Sequence, residues 1–196
     1  MSCPFFDNLP ANPNINQINE ALLSAIVTAQ QNAMPAFKRR IKEKLIRSNL
    51  NPSDDDIKLC YIWHTSDIAY AVEDLFTGDS RIKERIGQIF DNPGIANLDA
   101  EMLEEGFYHM GFIYAMYWYA ITETVADPSA CVALNHAHAE AIQTALEELS
   151  YELEGKQPPR KKANTYSPRK KSSGRPYWIA ILVIGILIGI ISRSCS

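Results

Sequence analysis

Cysteine is scarce in this chain. Its four residues, Cys3, Cys60, Cys131 and Cys195, make no C-x-x-C or similarly close pair. That spacing excludes a disulfide-stapled scaffold and a zinc ribbon, and it fits a reduced, cytosolic setting. The opening Met1-Ser-Cys-Pro-Phe-Phe lacks both the basic and the sustained apolar stretch of a secretory signal. Glycine is scarce too. None of the nine falls in a phosphate-cradling loop or a nucleophile elbow. No run alternates polar and apolar residues as a half-buried strand does. The chain is therefore not expected to be an enzyme or to hold a cofactor.

Acidic residues are missing from the C-terminal end. All 23 precede Gly155, against 10 Lys and Arg there, so residues 1–155 carry a net charge of −13. An acidic body excludes ordinary nucleic-acid binding, which depends on neutralising phosphates. From Lys156 to Arg175 the balance inverts, with eight Lys or Arg and no acid. Charge is then absent altogether from Tyr177 to Ile191, YWIAILVIGILIGII. Pro176 to Ser192 makes roughly 26 Å of helix, at the short end of what crosses a bilayer core. Tyr177 and Trp178 stand where an interfacial aromatic belt would, and Arg175 and Arg193 bracket the run.

These features predict a tail anchor. The positive-inside rule puts the body on the cytosolic face of an intracellular membrane, and the basic run adds attraction to anionic lipid. The short anchor with flanking arginines suits a thin membrane, either the mitochondrial outer membrane or the endoplasmic reticulum. Gly185 and Gly189 form a GxxxG pair, which offers a homodimer through the anchor; equally, glycine is simply common in membrane helices.

Within the body, apolar residues recur at helical spacing. One helix opens at Asn12-Pro13, with Ile15, Ile18, Leu22, Ala25, Ile26 and Ala29 on its stripe, and Pro35 is expected to break it. Phe37 to Arg47 follows, its cations read as a solvated face. Pro52-Ser53-Asp54 caps a helix striped by Ile57, Tyr61, His64, Ile68, Val72 and Leu75, and Thr77-Gly78 ends it. Ser80 is expected to cap a short helix carrying Ile82, Ile86, Ile89 and Phe90. From Asp99 the chain is expected to be helical to about Ala126, and a last helix runs from Asp127-Pro128 to about Leu153, burying Leu134, Ala141, Ile142, Ala145, Leu149 and Leu153. Phe107 to Val125 is apolar nearly all round, as befits the centre of a bundle. The alternative is a hairpin that itself enters lipid.

The expected architecture is thus all-α: a single-domain helical bundle over 1–155 around an apolar central helix, a basic linker over 156–176 and a transmembrane anchor over 177–192. Glu105, His109, His136 and Glu140 are the residues a metal would need. Their i, i+4 spacing differs from the Glu-x-x-His of di-iron bundles, so no metal is expected. His64 and His138 lie in phase with apolar stripes and read as hydrogen-bonded core histidines.

The outline resembles the Bcl-2 family of apoptosis regulators. That family's central helix is introduced by an acid and Gly, then Asn-Trp-Gly-Arg, then an apolar run. Here Glu105-Gly106-Phe107-Tyr108-His109-Met110-Gly111-Phe112-Ile113 keeps the acid, both glycines and the isoleucine. Ile62-Trp63-His64-Thr65-Ser66-Asp67 is similar to the family's Leu-xxx-Gly-Asp death motif, with Ile62, Ser66 and Asp67 at the Leu, small and acidic positions. The chain departs from the pattern at the Asn, the Trp and the Arg. Phe112 stands where the family's Arg pairs with an Asp of a bound helix. The second signature, with its Gly-Gly-Trp, is missing between Glu147 and Pro159.

The resemblance implies helix-in-groove recognition, in which an amphipathic helix of another protein lays its apolar anchors beside the central helix. Tyr61, Ile68, Val72, Phe107, Met110, Gly111, Phe112 and Ile113 are the expected groove residues. The anchor, with Tyr177, Trp178, Gly185, Gly189 and Ile191, would hold the module at the bilayer. An unrelated membrane-tethered helical adaptor is the plainer alternative.

Overall fold

The computed structural model describes residues 3–49, 51–98 and 109–155. They divide into two compact units, Met1–Glu140 and Ala141–Ser196, whose boundary falls within the last helix. Every regular element among the described residues is helical. The linker, the anchor, and Glu105, Gly106 and Phe107 lie outside the described residues.

A short helix, α1 (Pro4–Asp7), has no counterpart in the helical periodicity of the sequence. Its position is fixed by backbone contact. Phe5 N–H donates to the Leu75 carbonyl at 2.8 Å, and the Phe5 ring packs on Phe76 at 4.7 Å.

Helix α2 (Ile15–Arg47) begins with a reciprocal cap: Asn14 Oδ1 accepts from Gln17 N–H, and Gln17 Oε1 accepts from Asn14 N–H. It then passes straight through Pro35 and ends at Arg47. An interior proline forfeits one backbone hydrogen bond and costs about 3 kcal/mol as local propensity. Burial on both sides of Pro35 outweighs it. Leu22, Ile26, Ala29 and Ala33 precede it and Phe37 and Ile41 follow it, all buried on one side of a single helix.

Helix α3 (Asp54–Asp74) is capped by Ser53, whose hydroxyl accepts from Asp56 N–H, with three aspartates in the first turn complementing the helix dipole. It lies along α2. Phe37 packs on the Tyr61 and His64 rings, and two ion pairs, Arg40–Asp67 and Lys44–Asp56, join the helices at 2.6 Å. The cations of α2 therefore do more than face solvent. Gly78 adopts φ 95°, a left-handed conformation that suits glycine in the tight turn to the next helix. Asp79, one residue earlier than expected, caps α4 (Ser80–Asp91). A 3-10 turn at Pro93–Ala96 follows.

Helix α5 (Met110–Thr122) is shorter than its apolar run. Ten of its 13 residues are buried, which explains why it shows no single apolar stripe. Polar side chains define both of its ends. At the start, Gly111 N–H donates to Asn135 Oδ1 of the following helix at 2.8 Å. At the end, the Thr122 hydroxyl donates back to the Trp118 carbonyl, and Glu123 turns left-handed at φ 56°. Arg85 of α4 donates to the Ala120 carbonyl and pairs with Glu123, placing a cation where the helix dipole is negative. Thirteen residues span about 20 Å, and no described helix is long and apolar enough to cross a membrane.

Helix α6 (Pro128–Leu153) starts with Ser129 N–H donating to the Asp127 carboxylate. In the first unit it buries Leu134 and His138; in the second, Ile142, Ala145 and Leu149 are buried at helical spacing.

A candidate helix-binding cleft

Helices α3, α4 and α5 leave a cleft of about 770 Å³ between them. Its floor is α5, which presents Phe112, Ile113, Met116 and Tyr117. One wall is α3, with Thr65, Ser66, Ala69, Tyr70 and Glu73. The other is α4, with Ile82, Lys83, Ile86, Gly87 and Phe90. The turn at Thr77, Gly78 and Asp79 closes one end.

The amphipathic period of α4 produces this wall. Ile82, Ile86 and Phe90 recur every four residues along the helix, while Ile89 points fully into the core. At the lips the apolar character reaches solvent: Tyr70 is 67% and Phe90 53% exposed. Gly87 lowers the α4 wall, and a Cβ added there meets nothing within 4 Å.

Ionisable groups in the cleft are few. Asp79 is engaged by Arg81 at 2.9 Å, and its carboxyl is held below the usual range by that hydrogen bond. Glu73 on one wall and Lys83 on the other are exposed. Burial, and secondarily the charges of Glu73 and Asp74, push the Tyr117 hydroxyl far above the ordinary tyrosine range, so it stays neutral. Its ring stacks on Phe76 at 5.0 Å. The surface is thus apolar, with charge confined to its margins.

The residues singled out from sequence scatter around this cleft. Phe112 and Ile113 line it. Ile68, Val72 and Met110 are each 0% exposed and belong to the core beneath. Tyr61 faces α2, against Phe37, with burial raising its hydroxyl to about 12. Gly111 turns the other way, onto the backbone of Cys131 in α6.

The death-motif positions also separate. Ser66 lines the cleft, whereas the Asp67 carboxylate accepts a hydrogen bond from Arg40, and Ile62 is half-buried. The lining residues Ala69, Tyr70, Phe76, Gly87, Met116 and Tyr117 were not distinguished by periodicity, which gives stripes but not which helices part.

His136 and Glu140 are exposed while His138 is buried between them in sequence. Among the described residues no cluster of three or more His, Cys, Asp or Glu is placed to hold a metal. Compared with protein-family models, curated proteins and solved structures, the chain matches none.

Proposed function

We propose that this chain is a tail-anchored helical interaction module whose α3–α4–α5 cleft receives an amphipathic helix of a partner protein. The observation that carries the reading is the cleft itself: apolar floor, two helical walls and exposed aromatic lips beside the most apolar of the described helices. A helix is about 10 Å across with side chains and buries one stripe, so an apolar cleft walled by two helices suits it.

The resemblance to Bcl-2 regulators supports the same mechanism, with one difference in recognition. Phe112 offers an apolar surface where the family places an arginine, and the cation bordering this cleft is Lys83 on α4. Affinity would come from apolar anchors more than from a central ion pair. The apolar segment 177–191 and the basic run before it would concentrate the module at a cytosolic membrane face.

The test is a titration of the full chain in detergent against a panel of fluorescently labelled amphipathic helical peptides, read by anisotropy. Saturable binding at micromolar affinity or tighter is expected. Peptides with the same composition but a scrambled apolar stripe should fail. Equal binding of both sets, or of neither, overturns the reading. Alkaline extraction of membranes separately checks the anchor: the full chain stays with the membrane, and a chain ending before Tyr177 is released.

A further inference from the structure

His64 of α3 and His138 of α6 lie ring on ring, with centroids 5.4 Å apart and planes 15° from parallel. Both are shielded from water, at 0% and 6% exposure, and Phe37 of α2 packs against the His64 ring at 4.8 Å. Sequence periodicity places them in the core but suggests ordinary hydrogen-bonded histidines. Instead, both ring nitrogens of His64 and Nδ1 of His138 lack a hydrogen-bond partner among the described residues.

Few charged groups face the pair. From α2, Arg40 faces His64; from α3 itself, Asp67 does; His109, at the head of α5, faces His138. The acid among them is already committed, since Asp67 holds Arg40 at 2.6 Å. A proton added to either ring would create a buried cation stacked on a second imidazole, without a free counter-ion. Such a charge is poorly tolerated in an apolar site.

We propose that the His64–His138 stack is an acid-released latch, neutral when it ties α3 to α6 and opened when either ring takes up a proton. Because α3 forms one wall of the cleft, acidification would loosen that wall. The latch does not depend on what the cleft binds.

The direction follows from linkage. Burial pushes both imidazoles down to about 4, from an ordinary value of 6.5, and for His138 the neighbouring His64 and His109 push the same way. A histidine lowered on folding contributes stability that is complete above 6.5 and is lost as pH falls toward 4. At pH 5.5 each ring favours the open state by about tenfold, and the pair by about a hundredfold.

Hydrogen–deuterium exchange of the full chain in detergent, corrected for the intrinsic pH dependence of exchange, reads this opening. Protection of the α3 amides is expected to fall by about a hundredfold between pH 7.5 and 5.5. In the double variant His64→Phe/His138→Phe, which keeps the stacked rings but cannot titrate, that fall should shrink to less than about threefold. An equal fall in both proteins overturns the proposal. Histidine ring NMR of the unmodified chain decides the matter if the variant fails to fold. Two rings still neutral at pH 5.5 support the latch, and titration of both near 6.5 contradicts it.

Discussion

A Cβ on Gly111 would stand 2.7 Å from the carbonyl oxygen of Cys131 and 3.0 Å from its Cα. Helices α5 and α6 therefore meet backbone to backbone at this point, and the obstruction is main chain that cannot swing aside. Gly111 serves the packing of the bundle, on the side of α5 away from the cleft.

Two helical glycines among the described residues, Gly111 and Gly87, should respond oppositely to alanine. Gly111→Ala is expected to destabilise by about 1–3 kcal/mol, the usual cost of overpacking. Gly87→Ala adds a methyl group in open space and removes a flexible residue from a helix, so it should stabilise by roughly 0.5–1 kcal/mol. Thermal melts of both variants check this, at about 2–4 °C per kcal/mol for a chain of this size.

Asn135 acts as a cap supplied from another helix. His109, at the N-cap position of α5, makes no side-chain cap, and Asn135 Oδ1 accepts the Gly111 N–H in its stead. Asn135→Ala should cost about 1 kcal/mol, as losing an ordinary N-cap does. Exchange of the Gly111 amide should accelerate in the same variant, while amides of α4 remain protected.

The Arg40–Asp67 pair is short but partly exposed, with side chains 27% and 35% accessible. Water screens such pairs, so a double-mutant cycle with Arg40→Ala and Asp67→Ala should give a coupling below about 1 kcal/mol, shrinking further in salt. Arg40 also lies over the Trp63 ring at 5.6 Å. Its removal should shift the Trp63 emission even if stability barely changes.

Pro35 is predicted to be a net liability inside α2. Pro35→Ala restores an N–H for the Gln31 carbonyl and should raise stability by about 1–3 kcal/mol, part of the gain being offset by the freer unfolded chain. A drop in the melting temperature would show instead that the ring itself is needed for packing.

Much of the fold is legible in the sequence because caps and stripes are local. Ser53 before three aspartates, Thr77-Gly78 and Asp127-Pro128 mark ends that the structure keeps, and Leu22, Ile26, Ile68 and Leu134 are buried as their spacing predicts. What is not legible depends on tertiary contact. Pro35 looks like a break until the burial around it is seen, and the head of α5 is set by Asn135, 24 residues on. The cleft is similar. The stripe of Ile82, Ile86 and Phe90 is visible in the sequence, but Ile68 and Val72 belong to an equally apolar stripe and lie in the core. Which stripe stays uncovered depends on where three helices part.

Gly87→Leu tests the central claim most directly, because it fills the cleft from the α4 wall without touching the core. The measurement is the Kd of the tightest-binding amphipathic peptide for the full chain and for this variant, alongside their melting temperatures. The account predicts at least a tenfold weaker Kd in a variant that melts no lower than the parent. An unchanged Kd in a stable variant would place the binding surface elsewhere and contradict the assignment of the α3–α4–α5 cleft.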